Sequence, residues 1–315
     1  MDFPVFHLDF FGNRVLFAVI AIVHIIINHA LAVGAIPYIA LLERRGIKTG
    51  DARWDQLAYK ILAVCFIVTT TLGAMTGVGI WLTASLVNPY AIGSLLRIFF
   101  WFWFLEWIVF VIEVCGILAY FLTWKGWGAR NKALHNAAGF ALAVFSWLTM
   151  AVIVSILGFM MSTGSWTQQP SLITGILNPI YGPQLLFRTA ASMILAGFFG
   201  LLLIYFFAGR GDFRQQAVRL TSLWCLAWSP VCLAGAWIYW QAIPPWMLTN
   251  SLAVALSTQA FEQWHQMIAY LIGAAVLASV VVALWGLALP RWLPRVVLLV
   301  PFVLATVLVA YFERV

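Results

Sequence analysis

NRVLFAVIAIVHIIINHALAVG, residues 13–34, decides the fold. After Arg14 the run stays apolar to about Leu42, longer than the roughly 20 residues a helix needs to cross the hydrocarbon of a bilayer. Inside it stand His24 and His29, two of only five histidines in the chain. An ionisable or ligand-forming side chain at membrane depth is costly and is usually retained for a task, so this helix is where function is sought first.

The rest of the 315-residue chain has the same character. Hydrophobic residues make up 64% and charged residues 9%, with a mean hydropathy of +0.99, far above what a water-soluble core requires. Lipid offers no hydrogen-bond partners to the backbone, so each apolar run is expected to be a helix. Eight segments qualify, roughly 15–42, 59–86, 98–124, 133–161, 184–208, 217–242, 264–288 and 296–312. The expected fold is an all-α polytopic membrane protein of about eight transmembrane helices in two four-helix bundles, residues 1–162 and 163–315. The first segment is too long for a secretory signal and lacks a basic leader and a small-residue cleavage site.

Charge placement orients these helices. Arg44, Arg45, Lys48, Arg53, Lys60, Lys125, Arg130, Lys132, Arg210, Arg214, Arg219, Arg291 and Arg295 follow the odd-numbered segments, placing 13 of the 17 basic residues on one side. The positive-inside rule makes that side cytoplasmic and puts both termini outside, the periplasm of a bacterial inner membrane. Loop charge therefore accounts for the net +7, and no nucleic-acid partner is needed to explain it. Cys65, Cys115, Cys225 and Cys232 fall within helices and read as small apolar residues, and no CxxCH motif is present to attach a c-type haem. Many of the 17 tryptophans lie near helix ends, as an interfacial belt does. Gly73, Gly77 and Gly79 in GAMTGVG read as a helix-packing stripe whose free space could also admit a flat cofactor, and Pro230 is expected to kink the sixth helix.

Counting depth at about 1.5 Å per residue sets His24 level with Glu106, and His29 level with Glu113 further in. Arg188 opens the fifth helix, Glu262, His265 and Met267 the seventh, and His135 begins the fourth from the cytoplasmic end. Inward histidines, acids and a methionine on antiparallel helices suit a haem, since imidazole and thioether bind iron and an arginine can neutralise a propionate. His24, His29 and His265 are the candidate iron ligands, with His135, Arg188 and Met267 also placed at the cofactor. Glu106 and Glu113, seven residues apart on nearly one face, suit proton transfer.

These residues resemble subunit I of the cytochrome bd oxygen reductases. An Arg followed ten residues later by a His, as in Arg14 and His24, is similar to that family's opening, where the His ligates a high-spin haem. FWFLEWIVFVIEVCGILAYFLTWKGW, residues 102–127, resembles its two-acid third helix, and GFMMSTGSW, residues 158–166, matches a short motif at the end of its fourth. The resemblance implies haem b, two or more per chain or with a haem d-type variant, and a catalytic role for Glu106 and Glu113. Two departures stand out. NPIYGPQLLFRTAAS carries Arg188 where the family has a low-spin haem ligand, and an arginine stays protonated and cannot bind iron; His265 is the candidate replacement. The family's quinol-binding loop is reduced here to about 20 residues between the sixth and seventh helices. Met267 and Glu313 lie near the family's remaining ligands.

The reading is a bd-like haem membrane subunit that carries electrons to a high-spin haem reducing oxygen or another small oxidant. Its expected partners are other membrane subunits of a respiratory complex, a c-type cytochrome subunit or soluble cytochrome c, quinol and lipid. The alternatives are an electron-transfer subunit passing electrons between quinol and periplasmic cytochromes, and a cofactor-free transporter or anchor. The chain has no obvious inverted repeat with paired broken helices to favour a transporter.

Overall fold

A computed structural model describes residues 13–244, 258–300 and 302–304, and all of its regular structure is helical. The first span is a single rod made of α1 (Asn13–Asn28), a π turn (His29–Val33) and α2 (Ala35–Thr49). The second repeats the design with α3 (Ala52–Val68), a π turn (Thr69–Gly73) and α4 (Ala74–Val87). Next come α5 (Pro89–Ile98), α6 (Phe100–Thr123), α7 (Trp127–Arg130), α8 (Lys132–Met161), α9 (Leu172–Ile176), α10 (Tyr181–Phe207), α11 (Asp212–Ala242) and α12 (Thr258–Ala288).

Local chemistry sets the ends. Asp51 caps α3, accepting from the Arg53 backbone N–H at 3.0 Å, and the Arg53 guanidinium holds its carboxyl below the usual carboxylate range. Asn88 caps α5 just before Pro89, a residue suited to the first helical position. Asn131 caps α8. Thr69, Thr70 and Thr71 each turn a hydroxyl back to a carbonyl three or four residues earlier, drawing on the same backbone acceptors that the helix ladder uses at the second π turn.

Among the described residues six helices are long and apolar enough to span a membrane, namely α1–α2, α3–α4, α6, α8, α10 and α11. In α12 the apolar part is Gly273–Ala288. The expected eighth span, 296–312, begins with a 3-10 turn at Val296–Leu299 and otherwise lies largely outside the described residues. The outer connection after α8 is ordered by Asn178, whose amide donates to Ser155 O at 3.0 Å and whose Oδ1 accepts from the Tyr181 N–H at 3.0 Å.

The first span is central. It packs on α3–α4, α8 and α10, while α10 and α11 form the most extensive helix pair and α12 packs on α11. In the apolar windows of these helices 61% of α10 is buried against 22% of α6, which places α10 inside and α6 at the edge of the bundle. One core joins Tyr38, Leu62, Tyr120, Leu142, Phe198, Cys225 and Val282, on α2, α3, α6, α8, α10, α11 and α12, so it crosses the boundary drawn at residues 162 and 163. Tyr38 shows how: its hydroxyl bonds Thr221 on α11 at 2.7 Å while its ring fills the space beside Gly200 on α10. At Gly34 a Cβ would collide with the Ser192 carbonyl oxygen, so only glycine lets α1–α2 approach α10 this closely. Cys65, Cys225 and Cys232 are buried, and Cys115 is exposed on α6.

Candidate functional site

The glycine stripe of α4 is where α1 docks. A Cβ on Gly77 would stand 3.1 Å from His24 Cε1, one on Gly73 would stand 3.1 Å from Asn28 Oδ1, and one on Gly79 would stand 3.1 Å from Ile20. The stripe therefore packs a helix, as its spacing predicts, and its main guest is the His24 imidazole. His24 Nδ1 lies 3.2 Å from Gly73 O, 3.1 Å from Thr76 Oγ1 and 3.0 Å from Asn28 Nδ2.

Two tautomers fit this surround. In one, Nδ1–H donates to Gly73 O and Thr76 Oγ1, because the Thr76 hydroxyl is itself spent on Leu72 O at 2.7 Å. In the other, a bare Nδ1 accepts from the Asn28 amide. The first sets Nδ1–H against the Asn28 amide at 3.0 Å, but it leaves the lone pair on Nε2, 3.4 Å from Asn28 Nδ2, and fixes the ring through a backbone carbonyl, as metal-bound histidines commonly are. Asn28 also donates to His24 O at 2.9 Å, closing α1 just before its π turn. Sequence reasoning passed over Asn28 and Thr76; an amide five residues beyond an apolar valine and next to a histidine was the available signal.

His29 begins that π turn, a backbone form found often at functional sites. Its Nε2 lies 3.4 Å from Arg188 Nη1 on α10. A guanidinium can only donate, so Arg188 engages the lone pair that an iron would need. The same part of α10 carries Gln184, whose Nε2 donates to Tyr239 Oη at 3.1 Å and whose buried Oε1 has no partner among the described residues; Tyr239 in turn donates to Met161 Sδ at 3.3 Å.

Glu106 and Glu113 follow one another along α6. Glu106 is half-buried, while Glu113 is 5% exposed and its Oε1 has no hydrogen-bond partner among the described residues. Ser146 and Thr149 on α8 turn their hydroxyls toward Glu113. Trp103 Nε1, also on α6, is buried with no hydrogen-bond partner among the described residues. No hydrogen bond or ion pair among the described residues joins either glutamate to His24 or His29: His24 lies in the α1/α4 seam, His29 faces α10, and Glu113 lies between α6 and α8.

His135 departs from expectation. It is fully buried, with Nδ1 2.6 Å from Glu43 Oε1 and Nε2 3.1 Å from Tyr120 O. Both nitrogens are thus consumed by the protein, which leaves neither to a cofactor. Glu43, at the edge of the first span, escaped sequence reasoning because it heads a run of loop arginines, yet it is fully buried. His265 and Met267 fall in α12, but their side chains lie outside the described residues, as does Glu313. Those residues include no cluster of three or more His, Cys, Asp or Glu able to hold a metal ion alone; a haem iron needs only axial ligands from the protein.

Comparison with known proteins reports on the fold. No protein-family model matches the chain, and no curated protein does. Among solved structures, the bd oxidase from Geobacillus thermodenitrificans superposes with a TM-score of 0.75 at 16% identity, covering 95% of this chain and 84% of that one. The helical arrangement is therefore that of a bd oxidase chain. The donor set fits a haem on this fold: an imidazole held by a carbonyl, whose Nε2 meets Asn28 Nδ2 at 3.4 Å, an amide already donating to His24 O at 2.9 Å, and an intramembrane arginine.

Proposed function

We propose that the chain is a bd-like haem-binding membrane subunit of a respiratory oxidoreductase, acting in a bacterial inner membrane with both termini periplasmic. The observation that carries this reading is the His24 ring, seated in the glycine stripe with Gly73 O against Nδ1, on a bd oxidase fold. Haem, when bound, supplies one-electron redox chemistry at its iron.

The protein's own groups have separable tasks in this reading. His24 would hold the haem iron, and Gly73 and Thr76 keep its ring oriented. Arg188 supplies a fixed positive charge for a haem propionate and is the reason His29 ranks below His24 as a ligand. His265 and Met267 on α12 are the remaining candidates, and His135 is set aside because both its nitrogens are used. Glu113, with Ser146 and Thr149 beside it, holds or passes a proton, and Glu106 continues the same face of α6. Residues 1–162 form the haem-bearing bundle and 163–315 the second. Only 15 residues connect α11 to α12, which favours a c-type cytochrome or another membrane subunit over quinol as the electron donor.

The test is the absorption spectrum of the purified protein, reduced and then exposed to carbon monoxide. A Soret band that shifts with carbon monoxide is expected for an open iron position that can reduce a small oxidant. A band that does not shift identifies an electron-transfer subunit, and no band overturns the haem reading.

A further inference from the structure

The Glu43 cluster lies on the basic, cytoplasmic side and joins four helices. Glu43 Oε1 faces His135 Nδ1 at 2.6 Å, and Oε2 accepts from Tyr120 Oη at 2.7 Å and from Asn136 Nδ2 at 3.2 Å. His135 is stacked on Tyr120 with ring centroids 4.5 Å apart. Toward water, Lys132 Nζ lies 3.7 Å from Glu43 Oε1 and 2.6 Å from Asp55 Oδ1, and Trp124 Nε1 donates to Asp55 Oδ2 at 3.2 Å. Lys132 and Asp55 are part-exposed, whereas Glu43 and His135 are not.

Hydrogen-bond logic fixes the protons. Tyr120 O is a carbonyl and only accepts, so His135 Nε2 carries a hydrogen. One further proton then lies between Nδ1 and Glu43 Oε1, and the dyad carries no net charge whichever atom it sits on. We propose that Glu43 and His135 form a proton-loading site on the cytoplasmic side, filled from water past Lys132 and Asp55. On loading, a hydronium ion arriving past Lys132 and Asp55 breaks one O–H bond and leaves as water while an O–H bond forms at Glu43 Oε2; the new O–H donates to Tyr120 Oη, whose own O–H stays intact and rotates out of that bond, and on unloading the proton departs along α6. No electrons move.

The onward direction follows from register. Tyr120, Glu113 and Glu106 recur every seven residues on α6, about 10 Å apart at 1.5 Å per residue. Opposite them α8 presents His135, Asn136, Gly139, Leu142, Ser146 and Thr149. Tyr120 and Glu113 are separated by an apolar stretch, where Leu142 packs on Gly116. No side chain among the described residues bridges that stretch, so onward transfer to Glu113 needs a water to enter it, and the dyad holds its proton until one does. This assignment rests on the haem reading only for the use made of the proton.

Infrared difference spectroscopy of the full chain across a pH step reads the loading itself. A protonated-carboxyl band that shifts in D2O is expected in the wild type, with loss in Glu43→Gln and retention in Glu113→Gln. A band unchanged by Glu43→Gln overturns the proposal. Should that variant not accumulate, Tyr120→Phe keeps the ring stack and removes the hydroxyl at Oε2; the band is then expected to shift, and an unshifted band is equally fatal. In vesicles, proton uptake during turnover should slow about a hundredfold in Glu43→Gln, the lower range for losing a positioned proton-transfer group. Absence of haem would sink the functional reading and leave the infrared result standing.

Discussion

Gly34→Ala tests the packing that places His29 against Arg188. The added Cβ would overlap the Ser192 carbonyl oxygen and stand 2.6 Å from its carbon and 2.8 Å from Ala196 Cβ, where ordinary contact begins near 3.4 Å. Relief requires α1–α2 and α10 to part by about 1 Å, and overpacking of that kind costs about 1–3 kcal/mol. At about 2 °C per kcal/mol for a chain of this size the melting temperature should fall by roughly 2–6 °C. The buried thiols of Cys65, Cys225 and Cys232 give the readout through a thiol-reactive dye, in a Cys115→Ser background that silences the exposed cysteine. Ser192 donates to Arg188 O at 2.7 Å, one helical turn away, so the same movement should loosen the contact between Arg188 and His29. Gly93→Ala, facing open space on α5, is the control and should melt no lower than wild type. A melting temperature for Gly34→Ala equal to wild type would refute the close approach.

Other perturbations separate the proposed roles. His135→Phe should destabilise the protein by about 3–5 kcal/mol by leaving Glu43 buried without its partner, measured by the same melt; a near-neutral result would place Glu43 in contact with water. Glu113→Gln should slow proton-coupled turnover while leaving the absorption spectrum nearly unchanged, checked by oxidant consumption against the spectrum of the same sample. Thr76→Val removes a hydrogen-bond partner of His24 and keeps its shape, so it should lower haem retention on dilution without abolishing binding. Arg188→Leu should leave the Soret band in place and weaken haem affinity; a lost band would make Arg188 essential to the fold of the site.

Much of the fold was legible because hydrocarbon imposes one rule on every span. The apolar runs near 15–42, 133–161 and 184–208 became helices that overlap those bounds closely, and GAMTGVG behaved as a packing stripe because absent side chains leave room for one helix to sink into another. The π turns were not legible. Their wider hydrogen bonding depends on the neighbouring helices, and His29–Val33 packs on α10 while Thr69–Gly73 packs on α1. The pairing of His29 with Arg188 was hidden for a related reason: depth counting ranks residues by level, and azimuth decides who meets whom. His135 misled because a histidine on an apolar helix looks like a ligand until its neighbours are known. Glu43 sits beside Arg44 and Arg45 in sequence, which disguised a buried acid as loop charge.

The most direct test of the account is the haem content of His24→Ala. The purified wild-type protein should show a Soret band, and the variant, if folded to the same melting temperature, should lose or convert one haem. A variant with wild-type haem content and spectrum would contradict the central claim that His24 binds the iron.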